Sequence, residues 1–204
     1  MPINENTISH LGPSDPVARF DYTCGHCDRN VTGRVVCTYS FNFPPDTISI
    51  SRIRFLICPS CSMGSVWHII NSEEYIIPGM KPGDKLEGLP TNIENSYNEA
   101  RKCFSIQAYT ACELLCRKIL MYIGVDKGAP EGQSFVSYLD YLEQEGYITP
   151  TIKTWADRIR QFGNLSTHVL SPPDKSRTEA TFKFTMVLLR IIYEMEHLSD
   201  QFEQ

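Results

Sequence analysis

The spacing of apolar residues changes once along this chain of 204 residues. In the first third, apolar residues alternate with polar ones or run in short β-branched and aromatic stretches. From Thr91 onward they recur every three to four residues. A period of two lines one face of a strand, and a period of 3.6 lines one face of a helix. The expected fold class is therefore α+β in more than one domain, with a small β unit followed by an all-α bundle.

Residues 34–41 (RVVCTYSF) and 48–57 (ISISRIRFLI) predict two strands. Residues 43–46 (FPPD) are a turn signal between them, and residues 65–70 (SVWHII) predict a last strand. Residues 75–90 (YIIPGMKPGDKLEGLP) are dense in Gly and Pro and lack periodicity, so they read as a linker that can lie along the next domain. Thr91 is a candidate N-cap with Glu94 as its capping-box partner, and Ile93, Tyr97, Ala100 and Phe104 form the first stripe. A second helix is expected over 107–123 with Ala108, Ala111, Cys112, Leu115, Ile119 and Ile123 inward, ended by Gly124. A third is expected over 134–145, stopped by Gly146. Thr149-Pro150 opens a fourth carrying Ile152, Trp155, Ile159 and Phe162, which Ser171-Pro-Pro173 interrupts. The last helix, 174–202, has its stripe at Phe184, Val187, Leu188, Ile191, Met195 and Leu198. The boundaries are a leader over 1–18, a ribbon over 19–70, a linker over 71–90 and the bundle over 91–204.

Composition adds little to this picture except at the cysteines. The net charge is −5, which announces no strongly charged partner, so any nucleic-acid surface must be a local patch. Residues 1–10 (MPINENTISH) have neither the basic nor the apolar region of a signal peptide. No stretch approaches the ~18 apolar residues that span a membrane. Eight cysteines without a visible secretion signal fit a reducing cytosol, so a cytoplasmic location is expected.

Two of the cysteine pairs are C-x-x-C turns, Cys24-Gly-His-Cys27 and Cys58-Pro-Ser-Cys61, with Gly25 and Pro59 as turn formers. Thirty residues lie between them. A hairpin with such a knuckle near each end is a zinc ribbon, so Cys24, Cys27, Cys58 and Cys61 are the expected ligands of a structural Zn2+. Four thiolates close the shell and leave no position for catalysis. His26, inside the first knuckle, is an alternative ligand. Cys37, Cys103, Cys112 and Cys116 read as packed thiols, and His68 as a surface or half-buried strand residue.

Candidate chemistry also lies in the fourth helix, where Arg160, Asn164 and His168 are spaced four apart. On a continuous helix they form a polar row rising about 6 Å per step. A guanidinium, an amide and an imidazole on one face can hold a phosphate and move a proton. The alternative is structural: Arg160 pairs with an acid, Asn164 bonds backbone near Gly163, and His168 caps the helix. Glu113 and Arg117 are an i, i+4 pair on the second helix. They read as a salt bridge, or as groups that position His168 or line a phosphate pocket. Arg158, Arg160 and Lys153 form a basic area too sparse for a nucleic-acid footprint.

Three stretches, LPTNIENSYNEARKC, AYTACELLCRKIL and IRQFGNLSTH, resemble the prokaryotic HEPN-like domains catalogued as a domain of unknown function. Those domains are often joined to type I restriction subunits or preceded by a zinc ribbon. The resemblance runs from about Leu89 to the C-terminus. It rests most on Arg160, Gly163, Asn164 and His168, with Tyr97, Ala100 and Arg117 in support. It implies a helical bundle, a homodimer formed along the active helices, and a superfamily rich in defence proteins. Catalytic members are metal-independent endoribonucleases in which a histidine activates the ribose 2′-hydroxyl and an arginine steadies the phosphate. Asn164 and His168 match that motif, while its arginine position falls on Gly163 and Arg160 stands one turn earlier. Two functions follow. The first is a binding or regulatory module for RNA, DNA or a protein partner in phage defence or restriction. The second is an endoribonuclease using His168 and Arg160, across a dimer.

Overall fold

The computed structural model describes residues 19–40, 50–70, 73–157 and 173–202. Two compact units divide the chain, Met1–Lys81 and Pro82–Gln204.

The first unit is a five-stranded antiparallel meander: β1 (Arg19–Thr23), β2 (Asn30–Ser40), β3 (Ile50–Ile57), β4 (Gly64–Ile70) and β5 (Glu73–Ile77), in that spatial order. One face carries Tyr22, Val35, Leu56 and Trp67, which are buried together with Cys24 and Cys58. A sheet that buries so few side chains on one face is marginal without a cross-link. β5 lies where the sequence predicts linker, because Tyr75-Ile76-Ile77 is short and directly precedes Pro78. The predicted turn at 43–46 lies outside the described residues.

The second unit is all-α. Its helices are α1 (Thr91–Ser105), α2 (Tyr109–Asp126), α3 (Phe135–Gln144), α4 (150–157), α5 (Lys175–Leu189) and α6 (Met195–Phe202). A π-helical turn over Arg190–Glu194 joins α5 to α6, so these form one long helix, the fifth among the described residues. Ile93, Tyr97, Ala100 and Phe104 of α1 are buried as their spacing predicts. The N-cap of α1 is Pro90 and has no side-chain bond, so the expected Thr91–Glu94 capping box does not form. Ser134 does cap α3, accepting from the Ser137 amide at 3.1 Å. Gly146 ends that helix at φ +78, with the Tyr147 amide returning to Leu142 O at 2.9 Å.

Three expectations are corrected. Gly124 does not end α2 but lies inside it, where a Cβ would meet Tyr138 Cδ1 at 2.6 Å, so it permits α3 to approach. Ala111 is exposed and Leu120 takes an inward position outside the expected stripe, while Cys116 is buried as its reading as a packed thiol predicts. In the last helix Phe184 and Leu188 are buried, but Val187, Ile191, Met195 and Leu198 are each more than a third exposed. The buried face includes Thr178, Thr181 and Thr185. The hydroxyls of Thr178 and Thr185 donate to Asp174 O at 2.9 Å and Thr181 O at 3.0 Å. A hydroxyl satisfied by its own helix can enter a core, so these residues look polar in the sequence but pack inward.

The Pro/Gly-rich segment before α1 packs on this unit from Pro82 onward. Arg101, nearly buried, donates to Pro82 O at 3.0 Å and Gly83 O at 2.9 Å, and Tyr97 Oη donates to Asp84 O at 2.8 Å. Leu86 enters the core.

Candidate metal centre

Each C-x-x-C turn is built the same way. The Asp28 amide donates to Cys24 O at 2.9 Å, and the Cys24 amide to Arg29 O at 3.0 Å. In the second knuckle the Ser62 amide donates to Cys58 O at 2.9 Å, and the Cys58 amide to Met63 O at 3.0 Å. The residue after each pair, Asp28 or Ser62, has φ 60, so both turns close through the left-handed region without glycine. Gly25 and Pro59 do not supply that conformation. Gly25 is needed for a close approach instead: a Cβ there would stand 2.3 Å from Gly79 O and 2.5 Å from Pro78 O. The chain leaving β5 thus crosses the first knuckle, and Lys81 fixes it by donating to His26 O at 2.8 Å and pairing with Asp28 at 3.5 Å.

The four sulfurs lie within 4.8 Å of one another. Cys24 Sγ and Cys61 Sγ are 3.8 Å apart, as are Cys27 Sγ and Cys58 Sγ. All eight cysteines are free. A tetrahedral ion bound through sulfur at about 2.3 Å requires edges of about 3.8 Å, whereas a disulfide brings sulfurs to about 2 Å. The cluster therefore fits a metal ion. Among the described residues, no other set of three or more His, Cys, Asp or Glu side chains could hold one. His26 is not part of it, because its Nε2 lies 3.0 Å from Gly64 O.

Backbone amides favour thiolates here. Those of Cys27 and His26 are directed at Cys24 Sγ, and those of Cys61 and Ser60 at Cys58 Sγ. Burial pushes the Cys24 thiol up to about 12 despite these donors. Burial acts the same way on Cys58, but there the donors outweigh it and bring the thiol down to about 7. Tyr22, two residues before Cys24, has its phenol raised by burial and then by the Cys24 charge.

Arg160, Gly163, Asn164 and His168 lie outside the described residues, as do Arg158, Ile159 and Phe162. The groups expected to support them have other partners. Glu113 binds Arg177 through two bonds, 3.1 Å from Nε and 2.7 Å from Nη2. The Arg117 guanidinium stands 5.3 Å from the Phe135 ring. The predicted Glu113–Arg117 pair is thus replaced by a link between α2 and α5. Lys153 is held by Asp140 at 2.7 Å and Glu143 at 2.5 Å, which neutralises one member of the expected basic area. Tyr97 and Ala100 are core residues. Cys37 is half-buried in β2, and His68 stacks on Tyr75 at 5.4 Å.

Sequence reading missed Lys81, Tyr22 and the left-handed residues Asp28 and Ser62. The position immediately after each cysteine pair was the available signal for the last two. No described helix is long and apolar enough to cross a membrane. Residues 98–204 match the family model described as a domain of unknown function, DUF4145. No curated protein and no solved structure matches.

Proposed function

We propose, because the chain belongs to the DUF4145 family and carries a four-cysteine ribbon ahead of that domain, that it is a binding or regulatory module. Its setting is prokaryotic phage defence or restriction, and its metal is a structural Zn2+. The observation that carries this reading is the closed thiolate set. Cys24, Cys27, Cys58 and Cys61 would hold the ion, and zinc there supplies a cross-link rather than an open coordination position. The ribbon is then a rigid platform.

The outer face of that platform supports recognition of a partner. Cys37, Phe55, Val66 and Ile77 form one cross-strand row, with Ile57 beside Phe55. Phe55 is 41% and Ile57 42% exposed, and Val36 and Ile77 are also open. A contiguous apolar face of this kind suits a protein partner better than a phosphate backbone. The net charge of −5 points the same way. A groove of about 360 Å³ between α1 and α2, lined by Asn92, Asn95, Ser96 and Lys118 together with Ile93, Ile119 and Tyr122, offers a second contact area of mixed character.

One experiment addresses both functional classes. The purified protein and His168→Ala are incubated with RNA in EDTA, and wild type and Phe55→Asp/Ile57→Asp are used as bait, followed by rebinding of any purified candidate. The expected result is intact RNA and a partner that rebinds wild type but not the double variant. RNA cut to 2′,3′-cyclic phosphate ends by wild type alone would replace this reading with the endoribonuclease using His168, Arg160 and Asn164. Oligonucleotide binding that ignores the double variant would move recognition away from the ribbon face.

A further inference from the structure

Three buried polar atoms among the described residues have no hydrogen-bond partner, and all belong to the ribbon: Tyr22 Oη, Ser65 Oγ and Trp67 Nε1. Leaving such a group unpaired costs roughly 1–3 kcal/mol, so each one needs a reason. Nothing in the structure explains the bare N–H of Trp67, whose ring lies 4.5 Å from the Arg54 guanidinium. The two hydroxyls are different, because they stand together beside the cysteines.

Tyr22, on β1, is two residues before Cys24 and packs in the same buried cluster. Ser65 pairs with Leu56, which is two residues before Cys58. Tyr22 is 7% and Ser65 3% exposed. Tyr22 is packed in one buried cluster with Cys24 and Cys58, with Cys61 against it, and neither hydroxyl has a hydrogen-bond partner. The ring is seated by Gly33 on the neighbouring strand, where a Cβ would come 2.4 Å from Tyr22 Cε1. Two hydroxyls carry two donors. One can go to the other hydroxyl, and the second needs a further acceptor.

We propose that Tyr22 and Ser65 are positioning residues of the metal centre: bonded to each other, they donate one O–H hydrogen bond to a cysteine sulfur of the metal-bound set. This rests on the cluster being a metal site. Four thiolates around a dication leave an excess of negative charge between Cys24 and Cys58, both with 0% exposure. A neutral thiol is a weak acceptor, whereas a metal-bound thiolate is a strong one. The hydroxyl pair therefore adds to the backbone amides at the point where charge is least solvated. Outer-shell donors of this kind typically govern 10–100-fold in metal affinity.

The test uses the full chain as wild type, Tyr22→Phe, Ser65→Ala and the double variant. Zn2+ affinity is measured by chelator competition, and Co2+ loading by its sulfur-to-metal charge-transfer band. Tyr22→Phe keeps the ring and loses only the hydroxyl. It is expected to weaken Zn2+ binding at least about tenfold and move the band to lower energy. Ser65→Ala is expected to shift both in the same direction, and the double variant to fall short of the product of the two, because one chain of bonds is broken either way. Affinities within twofold of wild type and an unmoved band in both single variants would overturn the proposal while leaving the metal site intact. A wild type that gives no tetrahedral thiolate spectrum would overturn the metal reading and this inference with it.

Discussion

Asp28 and Ser62 occupy equivalent places, and both hold φ 60 where a side chain costs about 1 kcal/mol. They are not equally replaceable. Ser62→Gly relieves strain and is expected to stabilise the metal-loaded ribbon by up to about 1 kcal/mol in denaturant titrations followed by Trp67 fluorescence. Asp28→Gly should gain less, because Asp28 pairs with Lys81. Equal gains at both sites would deny that the Lys81 contact matters. Glu113 offers a second contrast at this scale. Its two bonds to Arg177 are largely shielded from solvent, so Glu113→Ala is expected to cost about 2 kcal/mol. Arg117→Ala should cost less, since Arg117 offers Phe135 only a ring contact. The reverse order, measured by thermal unfolding of the bundle, would restore the pair that spacing alone suggested.

Between elements, α2 and α3 approach closely at Gly124. Gly124→Ala places a methyl group 2.6 Å from Tyr138 Cδ1. Helix propensity favours alanine by about 1 kcal/mol, yet the clash is expected to win and destabilise the bundle by about 1–3 kcal/mol. A stabilised variant would show that Tyr138 can move aside. The same glycine shows what sequence periodicity can and cannot reveal. The spacing of Ile93, Tyr97, Ala100 and Phe104 identified the buried face of α1, because apolar period and burial coincide there. In the last helix it held for Phe184 and Leu188 but failed for Val187, Ile191, Met195 and Leu198, which remain outside while threonines enter the core by bonding their own backbone. β5 was missed because five residues before a proline carry too little pattern. The cysteine set was legible because its chemistry is tied to local spacing. Tyr22, Ser65 and Lys81 were not, because they reach the knuckles through strand pairing or from a later segment.

At the scale of the molecule, the two units are stabilised by different means: the helical one by an apolar core, the ribbon by one buried face and its cysteines. Chelation is therefore expected to abolish the protease resistance and β-sheet signal of the ribbon, while the 222 nm helical signal of the bundle remains. Loss of both signals together would show that the bundle also depends on the metal. With metal bound, Phe55→Asp/Ile57→Asp should leave both signals unchanged, since both side chains are already exposed, and should remove partner binding only. All of this depends on the ribbon being held by a closed sulfur shell. The most direct test is X-ray absorption at the zinc edge of the purified chain, with metal content measured on the same sample. The account predicts one zinc per chain, four sulfur scatterers and no nitrogen or oxygen, with zinc lost in Cys58→Ser. A shell containing nitrogen or oxygen, or a folded ribbon without metal, would contradict it.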